Sequence, residues 1–162
     1  ALFERGLQRV DWPARLQHLG RGRLAALLPK ACELWLDGGH NLEGAQALAS
    51  ALQTMNHQTK RPLVLIAGLL SSKDSQGFLN QFSALAPTLY AVPIPDHAAS
   101  RKAEEVADQA QKAGYTATTA TSVQDALQSI AARPDYAQAR VVICGSLYLA
   151  GSVLRDNGTE PD

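Results

Sequence analysis

One segment with the residue types for chemistry lies where an apolar run ends in Asp37-Gly38-Gly39-His40-Asn41. We predict a strand that ends at the carboxylate and a helix that the asparagine caps. Glycines let the backbone approach a ligand closely or adopt positive φ, and a helix N-terminus offers unpaired N–H groups with a partial positive charge. This order of residues suits a corner that binds a small anion or a nucleotide.

Two side chains of this corner could act directly. Asp37 could accept a hydrogen bond from a ribose, as acidic residues at strand ends do in nucleotide sites, or it could cap the next turn. His40 could be a base, contact a ligand or stack on one, or it could be a loop or helix-capping histidine. The residue types leave both alternatives open for each.

Three more polar segments follow predicted strands, at residues 68–74, at residues 93–97 and at Gly145-Ser146. Lys73 could neutralise a carboxylate or phosphate, or be a solvated surface lysine. Ser146 could donate to a carboxylate beside backbone N–H groups, or be a plain N-cap. Residues 93–97 contain two prolines and cannot be helical.

Arg15 is a further candidate because it follows Trp12 and Pro13. The proline interrupts any helix, so we expect Arg15 on a loop or at the start of an extended piece. Its guanidinium could clamp a phosphate, and the alternative is an ordinary surface arginine.

Several familiar motifs are missing from the sequence. A Walker-type phosphate loop, a Gly-x-Gly-x-x-Gly after a strand and a Gly-x-Ser-x-Gly elbow are all absent, which disfavours dinucleotide oxidoreductases and α/β-hydrolases. No metal-ligand spacing appears. The residues alone therefore predict an edge of the sheet that binds an anion or a nucleotide, without a complete set of catalytic residues.

The elements that must position these side chains alternate between strands and helices. We predict strands at residues 33–37, 63–67, 88–92, 115–120 and 140–144, and helices at residues 42–55, 75–85, 101–113, 122–132 and from 146 onward. This pattern is typical of an α/β domain with a mostly parallel, doubly wound, Rossmann-like sheet flanked by helices. Ligands bind beyond the carboxyl ends of such strands, so the polar segments should share one rim.

Some local expectations can be tested directly. The Thr-rich strand at 115–120 should lie near an edge of the sheet, and Ser100 should cap the helix that follows it. Residues 21–30 are basic and should form a surface turn with some helix, and residues 1–9 a short helix-like lead-in. Five apolar residues at helical spacing should form the buried face of the first long helix: Leu42, Ala45, Leu48, Leu52 and Met55.

Length and composition narrow the class of protein. The 162 residues suggest one domain, and 46% hydrophobic residues can build an ordinary core. The formal net charge of zero argues against a nucleic-acid or membrane-surface binder, and no apolar run is long enough for a membrane span. Cys32 and Cys144 are expected as small buried residues in a reducing compartment, the cytoplasm. Because Ala1 is not a Met, we expect a piece of a longer protein.

Four motifs in this order resemble those of one family: Trp12-Pro13-Ala14-Arg15-Leu16-Gln17, Leu36 to Asn41, Gly68 to Asp74, and Gly145-Ser146-Leu147-Tyr148. Over nearly the whole chain they resemble the C-terminal domain of folylpolyglutamate synthase/dihydrofolate synthase, in the Mur ligase superfamily. The resemblance implies that residues 1–162 are one domain of an ATP-dependent amide-forming ligase. An N-terminal domain absent from this chain would carry the phosphate loop, the Mg²⁺ ligands and much of the folate site, and the isolated domain would be inactive.

The resemblance also implies roles for individual residues. Arg15 would contact an ATP phosphate, and Asp37 would lie near the ribose or the glutamate amine. His40 and Ser146 would hold L-glutamate, and Lys73 would pair with a glutamate carboxylate. His40 and Asp37 are the catalytic candidates, and no residue here is expected to bind metal.

The substrates implied are ATP with Mg²⁺, L-glutamate, and dihydropteroate or a reduced folate. The partner implied is the protein's own N-terminal domain, in a cytoplasmic monomer that binds neither nucleic acid nor membrane. Two alternatives stay open. One is the C-terminal domain of another Mur-type amino-acid ligase, and the other is a non-catalytic α/β ligand-binding domain.

Overall fold

The computed structural model describes residues 15–85 and 88–159. They form a six-stranded sheet with helices on both faces. The strands are β1 (Gln17–His18), β2 (Glu33–Leu36), β3 (Leu63–Ala67), β4 (Thr88–Ala91), β5 (Thr116–Thr119) and β6 (Arg140–Cys144). The α-helices are α1 (Leu42–Gln58), α2 (Ser75–Asn80), α3 (Ala103–Lys112), α4 (Val123–Ala131) and α5 (Leu147–Asn157), and short 3-10 helices lie at Ala25–Leu27 and Pro134–Tyr136.

The strand order is β1-β2-β6-β3-β4-β5. All pairs are parallel except β1 with β2, which is antiparallel. The central strands β3 and β6 are the most apolar, as expected of strands that are covered on both faces. The predicted α/β class and the five predicted parallel strands are confirmed, and the Thr-rich β5 is an edge strand with most of its residues exposed.

Alternating side chains of the strands feed two separate hydrophobic cores. On one face Leu65 and Val142 pack with apolar residues of α1, α2 and α3. On the other face Ile66 and Ile143 pack with residues of α4 and α5. The chain therefore winds in one direction along one face and returns along the other, which is the doubly wound arrangement.

Two predicted helix boundaries were wrong. Helix α1 continues to Gln58, and α2 ends at Asn80. After α2 the backbone continues in tighter turns, in which Phe82 N–H donates to Leu79 O (3.2 Å) and Leu85 N–H to Phe82 O (2.9 Å). These bonds span three residues instead of four, so the α-helix does not propagate.

The prediction that Ser100 caps a helix was also wrong. Helix α3 begins at Ala103, and Lys102 occupies its N-cap position without a side-chain cap. The Ser100 hydroxyl instead accepts a hydrogen bond from Ile94 N–H (2.8 Å). This bond closes the loop after β4, and the backbone of Ser100 also forms an isolated antiparallel bridge with Leu70.

The buried face of α1 is shorter than predicted. Ala45, Leu48 and Leu52 are buried and Met55 is half-buried, but Leu42 is 47% exposed. Leu42 is the first residue of the helix, and the buried face begins one turn later, at Ala45.

The basic segment of residues 21–30 is more than a surface turn. Leu24 and Leu28 are buried in the core beside α5. Arg23 Nε donates to Asp156 O (3.0 Å), which satisfies a carbonyl in the last turn of α5. The predicted lead-in at residues 1–9, together with Trp12 and Pro13, lies outside the described residues.

Candidate functional site

The predicted site segments lie at one edge of the sheet, because the carboxyl ends of parallel strands point the same way. We call this edge the carboxyl rim and define it by residues 37–41, 68–74, 92–100 and 145–146. Strands β2 and β3 lead into helices on one face, whereas β6 between them leads into α5 on the other. Such a switch point opens a crevice where ligands bind in doubly wound sheets.

Asp37 is the most heavily bonded residue of the rim. Its N–H donates to Ile143 O (2.9 Å), which extends the pairing of β2 with β6 by one residue. Its Oδ1 accepts from Leu16 N–H (2.9 Å) and its Oδ2 from Gly39 N–H (2.8 Å). A Cβ on Gly39 would lie only 2.7 Å from Oδ2. The absence of a side chain at Gly39 therefore lets its backbone approach the Asp37 carboxylate, whereas the predicted approach to a ligand stays a prediction.

The short strand β1, which the sequence did not predict, brings Arg15 to the carboxyl rim. Gln17 pairs with Leu36 in an antiparallel register, so Leu16 lies opposite Asp37. Arg15 precedes Leu16 and is exposed. Arg15 lies in a bend two residues before β1, which agrees with the expectation of a loop or the start of an extended piece.

The helix that follows Asp37 begins as predicted. Asn41 Oδ1 accepts from Gly44 N–H (2.8 Å) and caps α1. His40 is half-buried, and its Nδ1 lies 3.5 Å from Gly38 O. A carbonyl only accepts, so this contact is a hydrogen bond when the proton is on Nδ1, which leaves the Nε2 lone pair for a ligand.

The turn from β6 into α5 is tightly built. Gly145 has a φ of +112°, and a Cβ there would overlap the carbonyl oxygen of Gly68. Ser146 is 1% exposed, and its Oγ accepts from Tyr148 N–H (3.0 Å) and Leu149 N–H (3.3 Å). Ser146 is therefore the N-cap of α5, which was one of the two predicted alternatives. Its hydroxyl hydrogen is not used by these two bonds.

Lys73 lies in the loop after β3 and is half-buried. Arg101, which sequence reasoning missed, holds this loop: its Nη2 donates to Ser71 O (2.9 Å) and Lys73 O (3.3 Å), and its N–H donates to Leu69 O (2.8 Å). Asp74 caps α2 by accepting from Gly77 N–H (2.9 Å). Nothing in the local sequence signals this role of Arg101, because its partners lie 28 and more residues away.

An aromatic pair stands at the same rim. The rings of His97 and Tyr148 meet edge to face with centroids 4.4 Å apart, and Tyr148 is 58% exposed. His97 Nδ1 accepts from Ala99 N–H (3.2 Å), which places the proton of the neutral ring on Nε2. The pair joins the loop after β4 to the first turn of α5.

Cys144 ends β6 directly beneath the carboxyl rim and is 1% exposed. Burial, and secondly the negative charge of Asp37, raise the pKa of its thiol. A thiol held neutral is a poor nucleophile, so Cys144 is a packing residue, as predicted. Cys32 is half-buried, and burial likewise raises the pKa of its thiol.

The described residues contain no group of three or more His, Cys, Asp or Glu side chains that could hold a metal ion. They also contain no helix that is long and apolar enough to cross a membrane.

Residues 22–156 match the protein family described as dihydrofolate synthetase, C-terminal domain. Among curated proteins the chain is similar to folylpolyglutamate synthase of Lacticaseibacillus casei, with 32% identity over 153 residues that cover 93% of this chain and 31% of that protein. It is also similar to dihydrofolate synthetase of Saccharomyces cerevisiae, with 26% identity over 156 residues that cover 92% of this chain and 36% of that protein. The chain spans about a third of the length of these relatives.

Solved structures with the fold of this chain include members of the same family. Folylpolyglutamate synthase of Mycobacterium tuberculosis, complexed with ADP and AMPPCP, superposes with a TM-score of 0.75 and 26% identity over 97% of this chain and 35% of that chain. The bifunctional folylpolyglutamate synthase/dihydrofolate synthase of Yersinia pestis, with Mn, AMPPNP and L-glutamate bound, gives a TM-score of 0.70 and 23% identity over 93% of this chain and 33% of that chain. At 23% identity, the similarity to the Yersinia pestis structure concerns the fold alone.

Proposed function

This chain belongs to the family of dihydrofolate synthetase C-terminal domains, and from that premise we propose that it supplies the glutamate pocket and part of the ATP site of a two-domain ligase. The ligase would join L-glutamate to dihydropteroate, to a reduced folate or to both. A relative bound to ADP and AMPPCP supports a nucleotide site here, and the glutamate pocket is inferred from the family. The remaining domain of such a ligase lies outside this chain, which covers about a third of its relatives.

The observation that carries this proposal is that all five candidate residues lie on segments at one rim of the sheet. Strand β1 returns Arg15 to the end of β2, and the switch at β6 lies between the strands that lead to the His40 and Lys73 loops. A reaction between several anions depends on positioning and on charge neutralisation. Arg15 and Lys73 supply positive charge, and the N-terminus of α5 adds a partial one.

In the nucleotide part of the site, Arg15 is the residue for an ATP phosphate, since a guanidinium offers several donors in a planar fork. Asp37 belongs to the same part. Each of its carboxylate oxygens already accepts one backbone N–H, and an ionised carboxylate has further lone pairs for a ribose hydroxyl.

In the glutamate part, Lys73 would pair with a carboxylate of the substrate. The hydroxyl of Ser146 would donate to a second carboxylate oxygen, because its lone pairs face the N–H groups of α5. His40 would face the amine through Nε2. With Nδ1 protonated toward Gly38 O, that nitrogen can accept a proton.

The chemistry implied by the family proceeds through an acyl phosphate. The γ-phosphoryl group of ATP is transferred to the acceptor carboxylate, which leaves ADP. The glutamate amine then attacks the activated carbonyl carbon, gives up a proton to a base such as His40, and phosphate departs with its oxygen as the amide forms. In this scheme the chain's residues bind and orient ATP and L-glutamate and neutralise their charges.

A divalent cation accompanies ATP in enzymes of this kind, but the described residues do not fit a cation site, as they form no cluster of three acidic, histidine or cysteine ligands. We therefore derive no step through a metal on this chain. Monomeric state and cytoplasmic location stay predictions.

The deciding experiment is ATP-dependent ligation of radiolabelled L-glutamate by the longer protein, with dihydropteroate and tetrahydrofolate as separate acceptors. The 162-residue chain alone is the control. We expect product with at least one acceptor and none from the control, and the preferred acceptor names the activity. No product with either acceptor, from a folded protein that binds ATP, would contradict the proposal and favour another amino-acid ligase.

A further inference from the structure

The hydrogen bond between Asp37 and the Leu16 N–H indicates a second role for Asp37, besides its place in the nucleotide part of the site. Asp37 ends β2, and Leu16 lies 21 residues earlier in the chain, yet Oδ1 and the Leu16 N–H are 2.9 Å apart. This hydrogen bond closes the rim end of the β1–β2 pair, beyond the register position where Gln17 meets Leu36. The residue on the far side of that closure is Arg15.

Leu16 needs such a restraint because its backbone is strained. Its φ is +38°, one of two positive values at non-glycine positions among the described residues. L-residues enter the left-handed region at an energetic cost and stay there only when their surroundings hold them. The charge-assisted hydrogen bond from Leu16 N–H to Asp37 restrains this backbone conformation. The half-buried leucine side chain adds a second restraint, because it packs against the hydrophobic core.

The carboxylate itself is held in place from the other side. Gly39 N–H donates to Oδ2, and Asp37 N–H is paired with Ile143 O. With one oxygen bound to Gly39 N–H and the backbone paired with β6, the second oxygen points toward Leu16 N–H. The same carboxylate therefore ties the loop that carries His40 to the segment that carries Arg15.

We propose that Asp37 is a positioning residue that holds Arg15 at the carboxyl rim through the backbone of Leu16. The structural part of this proposal concerns the chain alone. Its functional consequence rests on the proposed function, in which Arg15 meets an ATP phosphate. Loss of the carboxylate should therefore displace Arg15 even when no ligand is present.

The structural part is tested on the 162-residue chain by NMR and by limited trypsin digestion. In the wild type, the amide signals of Leu16 and Gly39 should titrate together with the Asp37 carboxyl group, and Leu16 N–H should be protected from exchange. In Asp37→Asn, cleavage after Arg15 should be at least about tenfold faster, because cleavage follows the local opening that the lost bond opposed. Leu16 and Gly39 amides that do not follow the Asp37 titration, or an unchanged cleavage rate, would overturn the proposal.

Asp125→Asn is the matched control. Asp125 Oδ2 also accepts a backbone N–H, from Thr121 at 2.9 Å, in the loop after β5. This variant removes the negative charge from the same kind of bond without touching Leu16, so cleavage after Arg15 should stay at the wild-type rate. The wild-type titration needs no mutation and stands even if Asp37→Asn folds poorly.

The functional part is tested in the longer protein by a double-mutant cycle with Arg15→Ala. If Asp37 acts through Arg15, Asp37→Asn should lower kcat roughly tenfold or more alone and change it little once Arg15 is gone. Effects on kcat that multiply would refute the positioning role, whereas a ribose contact made by Asp37 itself would change the KM for ATP. If Arg15→Ala is itself harmless, the phosphate role in the proposed function fails, while the NMR and cleavage results still decide the anchor.

Discussion

A single added methyl group tests how tightly the ends of β3 and β6 are packed beneath the site. In Gly145→Ala the new Cβ would overlap Gly68 O and lie 2.8 Å from the Leu69 side chain. Gly114 has a similar φ, +99° against +112°, but a Cβ there would meet nothing within 4 Å. Strain in the left-handed region costs an alanine about 1–2 kcal/mol at either position, and crowding adds about 1–3 kcal/mol at Gly145 alone. We therefore expect losses of about 1–2 kcal/mol for Gly114→Ala and roughly 2–5 kcal/mol for Gly145→Ala.

The assay is equilibrium unfolding of the 162-residue chain in urea, followed by circular dichroism, with the m-values compared to confirm that both variants unfold as the wild type does. Gly114→Ala is the control that isolates strain from crowding. Equal losses in the two variants would refute the reasoning, because Gly145 would then be required for its φ and not for the approach of Gly68. A Gly145→Ala protein that keeps wild-type stability would contradict both parts.

Three further changes have definite expected outcomes. Arg15→Ala in the longer protein should depress kcat strongly without a change in the melting temperature, since Arg15 is exposed; unaltered turnover would rule out the phosphate contact. Ser146→Ala should raise the KM for glutamate by the equivalent of about 1.5–3 kcal/mol and, because Ser146 caps α5, should also lower stability by about 0.5–2 kcal/mol; an unchanged KM would leave only the cap. Burial disfavours the Glu33 carboxylate, but hydrogen bonds from Arg140 and Trp35 outweigh this and lower its pKa. The ionised Glu33 carboxylate thus contributes stability that is complete above the ordinary glutamate pKa of about 4.3 and is lost as the pH falls through the lowered pKa of the folded state. Glu33→Gln should therefore flatten the acid side of a stability–pH curve. A curve of unchanged shape would contradict this.

The sequence predicted the parts of the fold that depend on local pattern. The apolar runs of β3 and β6 identified the two central strands, and Asn41 and Ser146 were correctly seen as possible caps. These predictions succeed because hydrophobic periodicity and capping act within a few residues. Leu42 has the right spacing for a buried position and is nevertheless exposed, because burial also requires a layer opposite that position.

Strand β1 was missed for a different reason. It has only two residues, Gln17 and His18, and neither shows an apolar alternation that would mark a strand. What makes it a strand is the free edge of β2, against which Gln17 and His18 pair with Leu36 and Trp35. A pairing partner 17 or more residues away leaves no trace in the local sequence, and Arg15 could be placed near the site only through the family resemblance.

Two arginines near the carboxyl rim, Arg15 and Arg101, differ in the same way. A motif marks Arg15 and none marks Arg101, yet the hydrogen bonds of Arg101 to the carbonyls of Ser71 and Lys73 fix the backbone of the Lys73 loop. Those carbonyls accept from a side chain 28 to 30 residues further along the chain, so only the path of the loop after β4 brings them together. Residue types at strand ends thus indicate which side chains can contact a ligand. The backbone groups to which a charged side chain is already hydrogen-bonded decide whether it remains available for that contact. For Asp37 that distinction turns a candidate ligand contact into the anchor of the residue that would make the contact.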